Sequence, residues 1–102
     1  MAILEISVMP LGTGTPSVSR FVAGAVKVLQ AEKDLKYEMS SMGTNIEGDL
    51  ERLLDIALRM HRSAFDAGAQ RVVTVMKIDD RHDQVASIQS KLAAVKQELE
   101  KA

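Results

Sequence analysis

Apolar side chains stand at every second position from residue 2 to residue 9, at Leu4, Ile6 and Val8. This period of two is typical of a β-strand that buries one face. Pro10 is expected to end the strand, because proline has no N–H to donate to a neighbouring strand. The segment LGTGT after it is predicted to be a loop.

The period then changes, because apolar residues recur at spacings of three and four between residues 17 and 31. This spacing predicts an amphipathic helix. Thr15 followed by Pro16 is a helix-start pair of cap and first-turn proline, with Ser17 as an alternative cap. The apolar stripe consists of Val18, Phe21, Val22, Ala25, Val28 and Leu29.

A strand pair is predicted next, in YEMSSMGTNIEG from Tyr37 to Gly48. Gly43 gives the connecting turn its backbone freedom. The second strand is Thr44 to Glu47, and it carries two polar residues, Asn45 and Glu47, where a simple sheet would use Val or Ile.

A second helix is predicted from Asp49, as its cap, to Gly68, as its stop. Its inner stripe is predicted to be Leu50, Leu53, Leu54, Ala57, His61, Ala64 and Phe65. Arg71 to Asp79 is rich in β-branched residues and is predicted to be the fourth strand. A last helix is expected from about Asp83 to the C-terminus.

The order strand, helix, strand, strand, helix, strand predicts an α+β fold of the ferredoxin-like βαββαβ type. The sheet should be antiparallel, with the first two helices on one face and the C-terminal helix as an addition. Residues 1–102 are expected to form a single domain, because 102 residues suit one core and no linker divides them.

Two surfaces would stay uncovered in a lone chain. The open sheet face would expose Ile3 and Met9, and the final helix places Val85, Ile88, Leu92, Val95 and Leu99 in a seam of coiled-coil type. The sequence therefore predicts self-association through one of these surfaces. The alternative is that the helix packs on its own sheet.

Charge and composition exclude several classes of function. The net charge of −1 gives no basic footprint for a nucleic acid, and both Phe residues lie on predicted helices, which disfavours base stacking on the strands. No apolar stretch approaches the roughly 20 residues of a membrane span. With no cysteine there is no disulfide or thiolate site. The protein is expected to be soluble and cytoplasmic.

Three short motifs could carry chemistry, and each has a simpler interpretation. The loop GTGT, from Gly12 to Thr15, precedes a helix and could hold a phosphate, but it matches no nucleotide-binding pattern. DDRHD, from Asp79 to Asp83, could bind a metal, but capping of the last helix is the favoured role. His61 is interpreted as a hydrogen-bonded core residue. No metal site, cofactor, nucleophile elbow or catalytic triad is predicted.

The polar strand is the remaining candidate. If Ile46 faces the helices, then Asn45 and Glu47 share the open face with Glu5 and Ser7. A covered Glu47 would need a hydrogen-bonding guest or a cation. The alternatives are a solvated edge residue or a salt bridge to Lys77 across the sheet.

Three segments together resemble the small thiamine-binding family of ferredoxin-like proteins, and the resemblance spans nearly the whole chain. They are PLGTGTPSVS (residues 10–19), MGTNIEGD (residues 42–49) and RVVTVMKIDDRHD (residues 71–83). The resemblance implies a non-enzymatic protein that binds thiamine or its hydroxymethylpyrimidine half, assembled as a dimer of sheet-packed subunits and commonly as a tetramer.

The same resemblance implies a ligand site. Glu47 would accept a hydrogen bond from the exocyclic amine of an aminopyrimidine, with Asn45 beside it, while Thr44 and Lys77 would complete a polar rim. The first motif would line the mouth of the site and meet any phosphate through Gly12, Thr13 and Ser17. Two rivals stay open: a structural or regulatory assembly module with no ligand, and an enzyme with Glu47 as general base.

Overall fold

Four strands and three helices follow one another in the predicted order. A computed structural model describes residues 1–14, 18–83 and 87–101. Its elements are β1 (Ala2–Leu11), α1 (Ser19–Gln30), β2 (Lys36–Met39), β3 (Thr44–Gly48), α2 (Leu50–Asp66), β4 (Arg71–Asp80) and α3 (Ile88–Lys101). The strands form one antiparallel sheet in the order β2-β3-β1-β4. The predicted ferredoxin-like α+β fold is confirmed.

The core lies between one face of the sheet and the helices α1 and α2. In β1, Leu4 and Ile6 point into it, and Ile46 of β3 pairs with Leu4. The largest side chains that are fully buried are Leu4, Ile6, Leu29, Ile46, Leu53 and Ile56. Each such side chain contributes about 1.5–3 kcal/mol relative to exposure. The alternation that predicts β1 therefore also identifies its core face.

Pro10 does not end the first strand, contrary to expectation. β1 continues to Leu11, with Pro10 paired with Val72 of β4. β3 pairs only with the segment from Ala2 to Ile6. Among the described strands, β1 beyond Ile6 therefore has a neighbour on one side only, an edge position where a missing N–H is tolerated.

α1 begins at Ser19, after Val18 at the N-cap position, which makes no side-chain cap hydrogen bond. The proposed caps Thr15 and Ser17, with Pro16, lie outside the described residues. Phe21, Ala25 and Leu29 of the predicted stripe are buried, whereas Val18 and Val22 at its margin are exposed.

The inner stripe of α2 is rotated relative to the prediction. Leu53, Ala57 and Ala64 are buried as expected, but Ile56 and Met60 complete the core instead of Leu54 and Phe65, which are exposed. His61 is half-buried at the margin. Asp49 occupies the predicted N-cap position, although its side chain makes no cap hydrogen bond.

α3 begins at Ile88, later than the expected start near Asp83. Its start is fixed by a reciprocal pair: the Ser87 hydroxyl accepts the Ser90 N–H at 2.9 Å, and the Ser90 hydroxyl accepts the Ser87 N–H at 2.9 Å. This is the geometry of a capping box. No residue of α3 is buried, so the helix projects from the sheet.

Candidate functional site

A row of polar side chains crosses the open face of the sheet. The strand register pairs Glu5 of β1 with Asn45 of β3 on one side and with Lys77 of β4 on the other. Glu38 of β2 extends the row beyond Asn45. Side chains at directly paired positions stand on the same face, about 4.5–5.5 Å apart at their Cβ atoms. The predicted sharing of this face by Glu5 and Asn45 is confirmed.

Glu5, Asn45 and Lys77 of this row form one wall of a cavity of about 230 Å³, which we call the open-face cleft. The first turns of α3 form the opposite wall. The lining residues are Ile3, Glu5, Asn45, Lys77, Asp79, Ile88, Lys91 and Leu92. Ile3, Ile88 and Leu92 are apolar, whereas the polar groups carry both charges. Lys91 also donates a hydrogen bond to Asp79, which ties α3 to β4.

Ile3 is therefore not exposed to solvent, contrary to the expectation for a lone chain. It is only 8% exposed, because the start of α3 covers it. The rest of the open face does match the expectation, since Met9 and Val75 are 47% and 58% exposed. Apolar surface is thus concentrated in the half of the open face that α3 does not reach.

Glu47 lies in the next row of the sheet, between Lys36 and Ile3. Only 7% of its surface is exposed. Its Oε2 accepts the Ile88 N–H at 2.7 Å, and its Oε1 is 3.9 Å from Lys36 Nζ. A carboxylate at the N-terminus of a helix is favourably placed in the helix dipole. Glu47 therefore anchors α3.

The two alternatives for Glu47 are both wrong. It is not a solvated edge residue, because β3 lies between β2 and β1 and the side chain is buried. It does not pair with Lys77, because the register sets Lys77 level with Glu5. Glu47 lines a separate cavity of about 410 Å³ beside β2, together with Lys36, Tyr37 and residues 87–89.

Thr44 lies on the helix face, opposite Ile6, and is therefore separated from Lys77 by the thickness of the sheet. It is 9% exposed. It lines a mainly apolar cavity of about 280 Å³ between α1, β1 and the turn from β2 to β3.

Gly12 and Thr13 follow β1 at the end far from Glu47. Ile3 pairs with Glu47, and nine further residues at about 3.3 Å each place Gly12 roughly 30 Å along the sheet. Positive φ angles at Gly12 and Gly14, 69° and 76°, make the loop turn as predicted. Both Gly12 and Thr13 line a cavity of about 270 Å³ with Arg20 and Phe21. Ser17 lies outside the described residues.

The other candidate groups form hydrogen bonds or ion pairs with neighbouring side chains. His61 Nδ1 lies 2.6 Å from Thr74 Oγ1, as expected of a hydrogen-bonded histidine. In the motif DDRHD, His82 pairs with Asp80 at 3.2 Å and Arg81 with Asp83 at 2.6 Å. The predicted capping role of this motif is wrong, because α3 begins at Ile88. Within the described ranges, no group of three His, Cys, Asp or Glu residues could hold a metal.

The structure thus divides the predicted site residues among four cavities. Asn45 and Lys77 share the open-face cleft, whereas Glu47, Thr44 and the pair Gly12 and Thr13 line three others. Sequence reasoning missed Asp79, Ile88, Lys91 and Leu92 as cleft residues. The signal Ser87-x-x-Ser90 could have placed the start of α3, but nothing local indicates where that helix points.

None of the helices in the described part of the chain is long and apolar enough to span a membrane.

Several proteins of known sequence or structure are similar to this chain. The UPF0045 protein YqgV of Bacillus subtilis is 41% identical over 98% of this chain and 99% of its own. The crystal structure of hypothetical protein MJ1052 from Methanocaldococcus jannaschii superposes with a TM-score of 0.85 at 38% identity, covering 93% of this chain and 95% of that one.

A more distant structure shares the fold. It is a Thermotoga maritima protein (TM0486) provisionally assigned to thiamine biosynthesis or salvage, with a TM-score of 0.75 at 22% identity over 92% of this chain and 97% of that one. The sequence model of the family described as "Thiamine-binding protein" matches residues 4–96. Because that match covers most of the chain, the chain belongs to the thiamine-binding protein family.

Proposed function

We propose that the protein binds thiamine or its aminopyrimidine half in the open-face cleft, without catalysis or a cofactor. The observation that carries the proposal is the row of Glu5, Asn45 and Lys77 facing an apolar wall. Ligand sites combine apolar walls with a few convergent polar groups in this way. Membership of the thiamine-binding family supports the choice of ligand.

The chemistry of an aminopyrimidine matches the cleft. Its flat ring suits an apolar surface such as that of Ile3 and Leu92, and its exocyclic amine donates to an amide or carboxylate oxygen, as offered by Asn45 and Glu5. Its ring nitrogens accept hydrogen bonds from the Asn45 amide or from Lys77. A thiazolium, if present, is cationic and would be attracted by Glu5 and Asp79.

The size of the cleft favours the pyrimidine half. About 230 Å³ is below the roughly 300–1,000 Å³ of typical ligand pockets. The remainder of a larger ligand would project toward the uncovered half of the open face. Self-association over that half would enclose it, and this is the second part of the proposal.

Glu47 has a different role in this proposal from the one implied by the family resemblance. Its Oε2 already accepts the Ile88 N–H, so a ligand amine would have to displace that contact or use Oε1. We assign Glu47 as a positioning residue, which holds Ile88 and Leu92 against the cleft. Gly12, Thr13 and Thr44 lie outside the proposed site of a single chain.

Isothermal titration with thiamine and with hydroxymethylpyrimidine tests the proposal. Asn45→Leu is expected to weaken binding by about 10-fold or more, because an unpaired polar group of the ligand costs about 1–3 kcal/mol. Glu38→Gln is the matched control, since Glu38 continues the same row but does not line the cleft. Absence of heat with wild type, or equal affinity for Asn45→Leu, would refute the proposal.

Two further measurements distinguish ligand binding from the rival functions, catalysis and assembly without a ligand. Glu47→Gln keeps an acceptor for the Ile88 N–H, so a small effect on affinity supports positioning and a loss as large as that of Asn45→Leu supports direct contact. Chromatography of the ligand after prolonged incubation tests catalysis, and recovery of unchanged ligand is expected. An oligomer that binds neither compound would favour the assembly module, for which the exposed apolar surfaces are the supporting observation.

A further inference from the structure

The sheet has an opening beside β1, at the point where β3 begins. β3 pairs with β1 only as far as Ile6, the partner of Thr44, whereas β1 continues to Leu11. The cavity of about 280 Å³ lies in this opening, and we call it the notch. It is lined by residues 6–9 and 39–44, by one side of α1 and by Met60.

The backbone of Val8 directs both of its polar groups into the notch. A Cβ added at Gly43 would lie 3.0 Å from the Ile6 carbonyl oxygen but 3.7 Å from its carbonyl carbon, so the Ile6 C=O points toward β3. In an antiparallel strand the N–H and C=O of one residue point to the same side, and residues two apart repeat that direction. The N–H and C=O of Val8 therefore also point to this side, where no described strand pairs with them.

Pro10 agrees with this orientation. It stands two residues beyond Val8, so its nitrogen faces the same side, and without an N–H it needs no hydrogen-bond acceptor there. Between Ile6 and Pro10, Val8 is thus the position that offers the notch both a donor and an acceptor.

Thr44 adds a hydroxyl group that has no hydrogen-bond partner among the described residues. Only 9% of Thr44 is exposed. Within the same residues, no side-chain oxygen or nitrogen is both sealed from solvent and unpaired. The Thr44 hydroxyl therefore keeps access to an opening, and the opening that Thr44 lines is the notch. A polar group that is nearly buried and unpaired is available to a ligand.

No charged side chain of the described chain lines the notch, whereas each of the other three cavities contains charged groups. Its walls are mainly apolar, with exposed methionines at Met9, Met39 and Met42. An ion would lose its hydration here without meeting an opposite charge. Methionine side chains, in contrast, adapt to the shape of an apolar guest. The notch is therefore suited to an uncharged molecule.

We propose that the notch binds a small, uncharged cyclic amide. The ligand carbonyl accepts the Val8 N–H with one lone pair and the Thr44 hydroxyl with the other, and the ligand N–H donates to the Val8 C=O. The ring must hold the amide cis, because a trans amide points its N–H and C=O in opposite directions. A volume just below the roughly 300–1,000 Å³ of typical ligand pockets suits a single ring.

This site is independent of the proposed thiamine site. The notch and the open-face cleft share no lining residue. The inference therefore goes beyond the proposed function and does not rest on it. Either proposal can fail while the other stands.

Titration of the isotope-labelled full chain with 2-pyridone, a single-ring cyclic amide, tests the proposal by nuclear magnetic resonance. The amide resonance of Val8 is expected to shift in a saturable way, while that of Lys77 stays unchanged. N-methyl-2-pyridone lacks the donor and is expected to bind about 10-fold more weakly. Equal affinity of the two compounds, or no shift of Val8 up to the solubility limit of 2-pyridone, would overturn the proposal.

Two threonine variants separate binding from stability. Thr44→Val should weaken 2-pyridone binding about 5-fold or more without lowering the melting temperature of the free protein, because its hydroxyl has no partner to lose. Thr74→Val is the matched control: it removes the hydrogen bond to His61 outside the notch, so it should lower the melting temperature and leave the affinity unchanged. Unchanged affinity in Thr44→Val would contradict the assignment.

Two further results would assign the probe or the edge differently. Asn45→Leu alters the open-face cleft and should leave 2-pyridone binding unchanged, so a loss of binding in this variant would place the probe in the cleft and overturn the notch site. Acetyl-valine methylamide presents the N–H and C=O of an extended strand. Tighter binding of this compound than of 2-pyridone at Val8 would show that the free edge takes a peptide strand, and it would overturn the cyclic amide.

Discussion

A nearly buried carboxylate needs a hydrogen-bond donor, and Glu47 finds one in the backbone of α3. The contact satisfies an N–H that has no partner within the helix, and it places a negative charge at the positive end of the helix dipole. Together with Ser87 and Ser90, it fixes where α3 starts. A single side chain of the sheet thereby holds in place the helix that forms one wall of the open-face cleft.

Glu47→Ala is expected to loosen the start of α3. The Ile88 N–H loses its acceptor, and the free energy of unfolding should fall by about 1–3 kcal/mol. Hydrogen exchange at Ile88 should become faster, while exchange in β1 follows only the global change. Glu38→Ala, a change in an exposed carboxylate of β2, is the control. Unchanged protection of Ile88 would show that Glu47 does not anchor α3.

The strand faces could be read from the sequence, but the grouping of the site could not. Alternation correctly separates Leu4 and Ile6 from Glu5, because each strand buries only one face. Alternation also places Thr44 and Asn45 on opposite faces of the sheet. The site implied by the family resemblance, which grouped Thr44 with Lys77, does not agree with this alternation. Which residues stand level across strands depends on register, and register is set by long-range packing.

At the scale of elements, the connection before β2 is held to α2 by ion pairs. Arg52 binds Asp34 at 2.7 Å and Glu32 at 3.4 Å, and Arg59 binds both Glu32 and Asp55. Hydrogen bonding to Arg59 lowers the pKa of Glu32 below its ordinary value of 4.5. Hydrogen bonding to Arg52 lowers the pKa of Asp34 below 3.8. These contacts tie the connection between α1 and β2 to α2.

The lowered pKa values predict a loss of stability in acid. A carboxyl whose folded pKa lies below its unfolded pKa stabilises the fold above the unfolded value and loses this contribution as the pH falls through the folded one. The melting temperature should therefore decline below about pH 4.5. Arg59→Gln should make that decline shallower. Arg62→Gln, on the same helix but without an ion pair in the described chain, should not, and equal slopes for both variants would contradict the assignment.

The rotated stripe of α2 predicts unequal costs for two neighbouring substitutions. Ile56→Ala empties a fully buried site and should cost about 2–5 kcal/mol, whereas Leu54→Ala changes an exposed position and should cost less than about 1 kcal/mol. Denaturant unfolding measures both. Equal costs would support the inner stripe of α2 that the sequence predicts. That stripe includes Leu54 because two adjacent leucines, Leu53 and Leu54, cannot be told apart by composition.

At the scale of the molecule, α3 makes the chain elongated. The radius of gyration is 15.3 Å, compared with about 13 Å for a compact chain of this length. The projecting helix exposes Leu92, Val95 and Leu99 by 59%, 59% and 72%. The uncovered half of the open face is also apolar. A second copy whose α3 covers that half would bury both surfaces at once.

The seam of α3 should therefore control self-association. Val95→Lys with Leu99→Lys puts two charges in the seam, and light scattering should show about half of the wild-type mass, because the contact between two copies is lost. Gln97→Lys adds a charge to the same helix outside the seam and should leave the mass unchanged. A full-sized assembly for the seam variant would mean that α3 and the open face are covered by something other than a second copy.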